Sequence, residues 1–169
     1  VSRLDLKDAA AATGVYRDDP TVEGWMVQFQ ADGTMRIWKV LSTDGDIGRR
    51  ITRLSCPETV AVPENGAAYF GQSVVVGDGS SLTDDCGGTG PRSSVVNGRV
   101  TIGTAHGMNI YVGGNIAYES DGDDVLGLLS ANEIIIAWYV PTVLTWRAAS
   151  LAQAGQWRTI VGYKRLQRM

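Results

Sequence analysis

At 169 residues with 44% hydrophobic side chains, the chain is long enough to bury one core and too apolar to be disordered. Its 15 basic and 18 acidic side chains leave a net charge of −3, and no run of Lys and Arg offers itself to a nucleic-acid backbone. No stretch reaches the roughly 18–20 consecutive apolar residues of a membrane helix, the start Val1-Ser-Arg-Leu-Asp-Leu-Lys-Asp8 lacks a signal-peptide core, and 21 glycines against two phenylalanines suit turn-rich layers better than a helix bundle. As given, the chain reads as soluble, with no membrane span.

Residues 1–13 carry Leu4, Leu6 and the run Ala9–Ala12, which reads as a short helical lead-in or a frayed end. Trp25–Phe29 and Thr34–Val40 flank Gln30-Ala-Asp-Gly33, and an Asp-Gly step between two β-prone runs predicts a hairpin, with Trp25 and Trp38 as a cross-strand pair. A third strand is predicted over Arg49–Arg53, between the turn Asp44-Gly-Asp46 and Cys56-Pro57. The turn Pro63-Glu-Asn-Gly66 then opens a strand over Ala67–Phe70. From Gly77 to Arg92 nearly every residue is a turn former, which predicts a long exposed loop anchored only at Cys86.

Short apolar bursts follow at Val100–Ile102, Asn109–Val112, Asn115–Tyr118, Val125–Leu129 and Ile134–Ala137. They are rich in Val, Ile, Leu and Tyr, and turn-forming Gly, Asn and Asp punctuate them, as strands separated by tight turns require. Thr145–Ala154 suits a strand slightly better than a helix, Gln156–Val161 is a further strand, and Tyr163–Met169 is a basic, solvated tail. The expected fold is mainly β: an irregular parallel β-solenoid or β-helix-like stack with an N-terminal β-hairpin cap, the alternative being a β-sandwich. Residues 1–169 form a single β-rich domain in this reading, with 1–62 the hairpin-containing cap region, 63–161 the solenoid-like region and 162–169 the tail.

Cys56 and Cys86 are the two cysteines, and each sits beside turn chemistry, so a disulfide between them is expected. His106 is the one histidine; without a Gly-x-Ser-x-Gly elbow or a comparable nucleophile motif it reads as an exposed turn residue. Acidic residues cluster at Asp44 and Asp46, at Asp78 with Asp84 and Asp85, and at Glu119, Asp121, Asp123 and Asp124. The last group is the candidate Ca²⁺ ligand set, because hard cations take several oxygens from a turning backbone, although EF-hand spacing is absent and a solvated strand connection is the simpler reading. No other cofactor is expected. Of the five tryptophans, Trp138, followed by Tyr139 and Pro141, is the one expected to make an exposed binding contact, while the others fill the core.

Several segments carry a family resemblance. Pro63-Glu-Asn-Gly-Ala-Ala-Tyr69, Val96-Asn-Gly-Arg-Val-Thr-Ile102, Asn109–Tyr118, Asp124–Ile136 and Leu151-Ala-Gln-Ala-Gly-Gln-Trp157, together with Asp32-Gly-Thr-Met35, resemble the C-terminal ectodomain of bacterial PilX-type, type IV pilus-associated surface proteins. The resemblance implies an exported, extracellular or cell-surface, non-catalytic protein acting in assembly or adhesion. Its partners would be further copies of itself, pilus components, or a surface or glycan ligand. The hydrophobic pilin-like helix of such proteins has no counterpart in these residues. The alternatives are a carbohydrate-active β-helix enzyme that cleaves polysaccharides, and a small intracellular binding protein.

Overall fold

The computed structural model describes residues 2–120, 122–141, 143–153, 157–159 and 165–168, with the backbone alone at residues 3, 157–159 and 165–168. Helix α1 (Arg3–Thr13) precedes β1 (Val15–Arg17), β2 (Gly24–Gln30), β3 (Thr34–Thr43), β4 (Ile51–Leu54), β5 (Glu58–Ala61), β6 (Ala67–Phe70), β7 (Val74–Val76) and β8 (Ser94–Val96). Then follow β9 (Arg99–Thr104), β10 (Ile110–Val112), β11 (Ile116–Tyr118), β12 (Val125–Ser130), β13 (Ile134–Ile136), β14 (Val143–Trp146), β15 (Ala149–Ala152), β16 (Trp157–Thr159) and β17 (Arg165–Arg168). The protein is mainly β, with parallel and mixed sheets. Among the described residues no helix is long and apolar enough to cross a membrane.

Helix α1 forms where alanines meet a capping box: Ser2 Oγ accepts the Asp5 backbone N–H at 3.2 Å, and the Asp5 carboxylate accepts the Ser2 N–H at 3.3 Å. Leu6 and Ala10 press onto Ala67, Tyr69 and Leu129. Gly14 ends the helix against β6, where a Cβ would stand 2.2 Å from the Ala67 carbonyl oxygen.

Strands β1, β6, β9, β12 and β15 lie side by side in one parallel sheet. A second sheet runs β16-β13-β10-β7-β2 in parallel and continues through antiparallel β3 and β4, with β5 also on β3. Strand β8 pairs with β11 and β14 with β17, both in parallel. Consecutive strands β6, β7 and β8 thus enter three different sheets, and β9, β10 and β11 revisit the same three in the same order. Register keeps like with like: Ala68 lies beside Ile102 and Ile102 beside Leu128, while Ile110 sits between Val74 and Ile134, and Val112 between Val76 and Ile136. All of these face one continuous apolar core, where each buried Val, Leu or Ile contributes roughly 1.5–3 kcal/mol over leaving it exposed.

The two-residue period of a strand sends alternate side chains of the second sheet to its other face. Met26, Val75, Tyr111 and Ile135 form one register row there, which Trp38 of β3 extends, and they share one cluster with Val40, Ile47, Ile51 and Leu54. The hairpin β2–β3 forms as expected, with Gly33 at φ 84° in the turn and Gln30 opposite Thr34. That register pairs Trp25 with Lys39 and Met26 with Trp38, so the expected Trp25–Trp38 pair does not form. The two indoles lie on opposite faces of the sheet, Trp25 in the main core and Trp38 in the second cluster.

Three further expectations are corrected. Arg49 and Arg50 belong to the turn before β4, not to a strand, because their N–H groups bond back to Asp46. The 162–169 segment is not simply a tail, since its backbone over Arg165–Arg168 pairs with β14. The Gly77–Arg92 loop is anchored by far more than Cys86: Asp78, Asp84 and Arg92 are 2%, 6% and 3% exposed, their charges satisfied by one another.

Cys56 and Cys86 are joined, with their Cα atoms 5.0 Å apart and a sequence separation of 30. Closing a loop of that length removes chain entropy from the unfolded state. Replacing both cysteines by serine is expected to cost about 3–4 kcal/mol, a fall in Tm of about 6–16 °C in a thermal scan. An unchanged Tm would mean that the loop is held without the bond.

Candidate functional site

An open groove of about 560 Å³ lies beyond the outer face of the second sheet, lined by Arg49, Arg50, Ile51, Thr52, Asp78, Ser80, Leu82, Trp138 and Tyr139. Three separate stretches of chain build it. The first is the turn before β4. Asp46 Oδ1 accepts the N–H groups of Gly48 at 2.8 Å and Arg49 at 3.0 Å, and Asp44 N–H donates to the Arg50 carbonyl at 2.9 Å. This closed turn projects two exposed arginines, and neither forms an ion pair among the described residues.

The second stretch is the residue pair after β13. Trp138 N–H donates to the Gly48 carbonyl at 2.7 Å, and the Tyr139 hydroxyl donates to the Ile47 carbonyl at 2.6 Å, so this wall is tied to the arginine turn. Burial, with the nearby Asp78, Tyr111 and Asp46 adding to it, pushes the Tyr139 phenol well above its ordinary pKa. It stays a neutral donor. Trp138 remains 50% exposed, unusual for a residue with so large an apolar ring.

The third stretch is the Gly77–Arg92 loop, and its base is a buried charge cluster. Arg92 donates to Asp78 Oδ2 at 3.0 Å and to the Gly88 carbonyl at 3.0 Å, and its guanidinium lies 3.7 Å from Asp84 Oδ2. The same guanidinium sits 5.1 Å from the centre of the Trp38 ring, whose Nε1–H donates to Asp84 at 2.9 Å. Burial pushes the Asp84 pKa up, but Trp38, the N–H groups of Gly88 and Cys86, and Arg92 together hold it below the ordinary carboxylate value. A guanidinium fork has the geometry to serve two carboxylates and a carbonyl at once. The loop returns through paired backbone bonds between Asp78 and Arg92, at 3.0 and 2.7 Å. Ser80 is then fixed by its N–H on Asp78 Oδ1 at 2.7 Å.

Trp138 and Tyr139, the expected contact pair, are therefore brought together with Arg49 and Arg50, to which the sequence assigns only a place in a strand. The remaining candidates lie elsewhere. His106 is exposed in the turn between β9 and β10. In the acidic group, Glu119 and Asp123 are exposed, and Asp121 lies outside the described residues. Asp124 is buried, with its two carboxylate oxygens taken by the backbone N–H groups of Gly98 at 2.8 Å and Ser120 at 2.6 Å. That carboxylate ties the start of β9 to the connection before β12. Among the described residues no three His, Cys, Asp or Glu side chains come together as a metal site. Neither a family model, nor a curated protein, nor a solved structure matches this chain.

Proposed function

We propose that the chain is a non-catalytic, exported surface or pilus-associated protein, built as a parallel β-solenoid and acting in adhesion or assembly through the Trp138 groove. The solenoid is supported by the cyclic visit of successive strands to the same sheets and by aliphatic columns in register. Stacked corners support it too: Asn109 Oδ1 accepts from Asn132 Nδ2 at 2.9 Å and from the Glu133 N–H at 3.0 Å, while Asn109 N–H donates to Ser73 Oγ at 3.0 Å. In this reading β2 and β3 cover the first turn of the stack, and the disulfide suits an oxidising, extracellular setting.

The observation that carries the binding role is the half-exposed Trp138, fixed by its backbone to a turn that holds two exposed arginines. Aromatic and arginine side chains held in a concave site are the usual anchors of recognition. The polysaccharide-cleaving alternative, taken as hydrolysis, ordinarily needs two carboxylates facing one ligand about 5–9.5 Å apart. Of the described residues lining the groove Asp78 alone is acidic, and its charge is spent on Arg92.

The test is retention of the labelled protein on epithelial cells, bacterial cells and purified type IV pili, comparing wild type with Trp138→Ala. Retention on at least one of them, reduced about tenfold or more by the substitution, is the expected result. No retention on any of them, or retention that ignores Trp138, would overturn the adhesive reading.

A further inference from the structure

We infer that the groove takes an acidic oligosaccharide, one sugar ring lying on the Trp138 indole with its carboxylate or sulfate held by Arg49 and Arg50. This rests on the adhesive reading above and names the ligand class of the same site.

The chain as a whole carries −3, which repels polyanions, yet two arginines with no ion-pair partner among the described residues stand together on one rim of the groove. Arg92 is shared by Asp78 and Asp84, and Asp46 lies close to Tyr139, so an anion would be held by direct contact with the Arg49 and Arg50 guanidinium groups on the rim rather than by a positive field over the groove. A guanidinium matches a carboxylate or sulfate through parallel N–H donors, better than a point charge does.

The shape of the groove suits a sugar. An exposed indole presents a flat apolar face to the C–H face of a pyranose, and a groove of about 560 Å³ lies within the roughly 300–1,000 Å³ span of small-ligand clefts. Hydroxyl-bearing Thr52 and Ser80 line the remaining wall, where sugar hydroxyls need partners. Two arginines are too few to track the backbone of a nucleic acid, whose affinity comes from neutralising many phosphates in a row.

The experiment is calorimetric titration of the intact disulfide-bonded protein with four probes: an oligogalacturonate, a heparin-derived oligosaccharide, a neutral cello-oligosaccharide and oligo-dT. One or both acidic sugars should bind, and the preferred one reports whether carboxylate or sulfate is the natural charge. Raising the ionic strength from about 0.05 to about 0.5 M should weaken that binding, as screening of an exposed ion pair requires. Arg49→Ala and Arg50→Ala should each lose about tenfold in affinity, and Arg49→Lys less, because the charge stays while the fork is lost. Trp138→Ala should lose about tenfold or more, and Trp138→Phe less. All are surface changes, so an unchanged Tm keeps a loss of binding separate from unfolding.

Equal binding of the neutral sugar, tighter binding of oligo-dT, or acidic-sugar binding that survives all three alanine substitutions would overturn the assignment. If no acidic sugar binds while cell or pilus retention still depends on Trp138, the ligand class falls and the adhesive reading stands. If neither occurs, both fall.

Discussion

Arg92→Ala is expected to destabilise the protein by about 3–5 kcal/mol, a fall in Tm of about 6–20 °C. The substitution removes the cation between Asp78 and Asp84, both nearly inaccessible to water, and leaves the two buried carboxylates with their remaining N–H donors but without that counter-charge. It also strips the Trp38 ring of its cationic neighbour and the Gly88 carbonyl of its donor. Arg92→Lys should recover only part of the loss, since one ammonium cannot reach all three acceptors in the plane a guanidinium offers. The cluster also shapes the acid limb of stability. Asp84 has a lowered pKa, so the stability it contributes is present above the ordinary carboxylate value and is lost as the pH falls through its folded value. Without Arg92 that lowering shrinks, and acid unfolding of the variant should begin at higher pH than in the wild type. Thermal scans between about pH 2 and 6 check both parts. A Tm within about 2 °C of wild type would mean that water reaches the cluster and screens it.

Phe70→Ala should cost about 3–5 kcal/mol as well, by a different route. The ring is fully buried at the end of β6 and lies 6.1 Å, centre to centre, from the Trp25 ring. Its neighbours come from sheet strands held in register from both sides, with Arg17 and Thr104 as its paired positions, so they have little freedom to close the cavity. Chemical denaturation should show a lower midpoint. Leu151→Ala, at a side chain 56% exposed, should stay within about 0.5 kcal/mol of wild type. Equal losses at the two positions would contradict the placement of the core.

These two positions mark what a sequence displays and what it hides. The strands β9 to β13 were legible because each apolar burst is short, rich in Val, Ile, Leu or Tyr, and set off by turn-forming Gly, Asn or Asp. The hairpin was legible from Asp32-Gly33, although a three-residue loop set its register one step away from the Trp25–Trp38 pairing. The disulfide was legible because two cysteines allow one pairing.

The Gly77–Arg92 loop is exposed over much of its length, as its turn formers suggest, but its base is buried at Asp78, Asp84 and Arg92. That buried base depends on a guanidinium 14 positions from one carboxylate and on an indole 46 positions from the other, neither of which local composition reveals. Trp138 was singled out as an exposed contact, but its companions Arg49 and Arg50 were not. The link between the two walls runs from Tyr139 to Ile47 across 92 positions, and only the folded chain brings them together. The same lack of long-range information turned residues 165–168 into a tail in the sequence, although they pair with β14.

The central claim is that the groove between Trp138 and the Arg49–Arg50 turn is where this protein meets its ligand. The most direct measurement is a two-dimensional NMR titration of the isotope-labelled protein with the acidic oligosaccharide. The account predicts shifts at the indole N–H of Trp138, at the guanidinium N–H groups of Arg49 and Arg50 and at the backbone of Ser80, with the signals of His106 and Asp124 left in place. Shifts centred on His106 or Asp124, or no shifts at any ligand concentration, would contradict it.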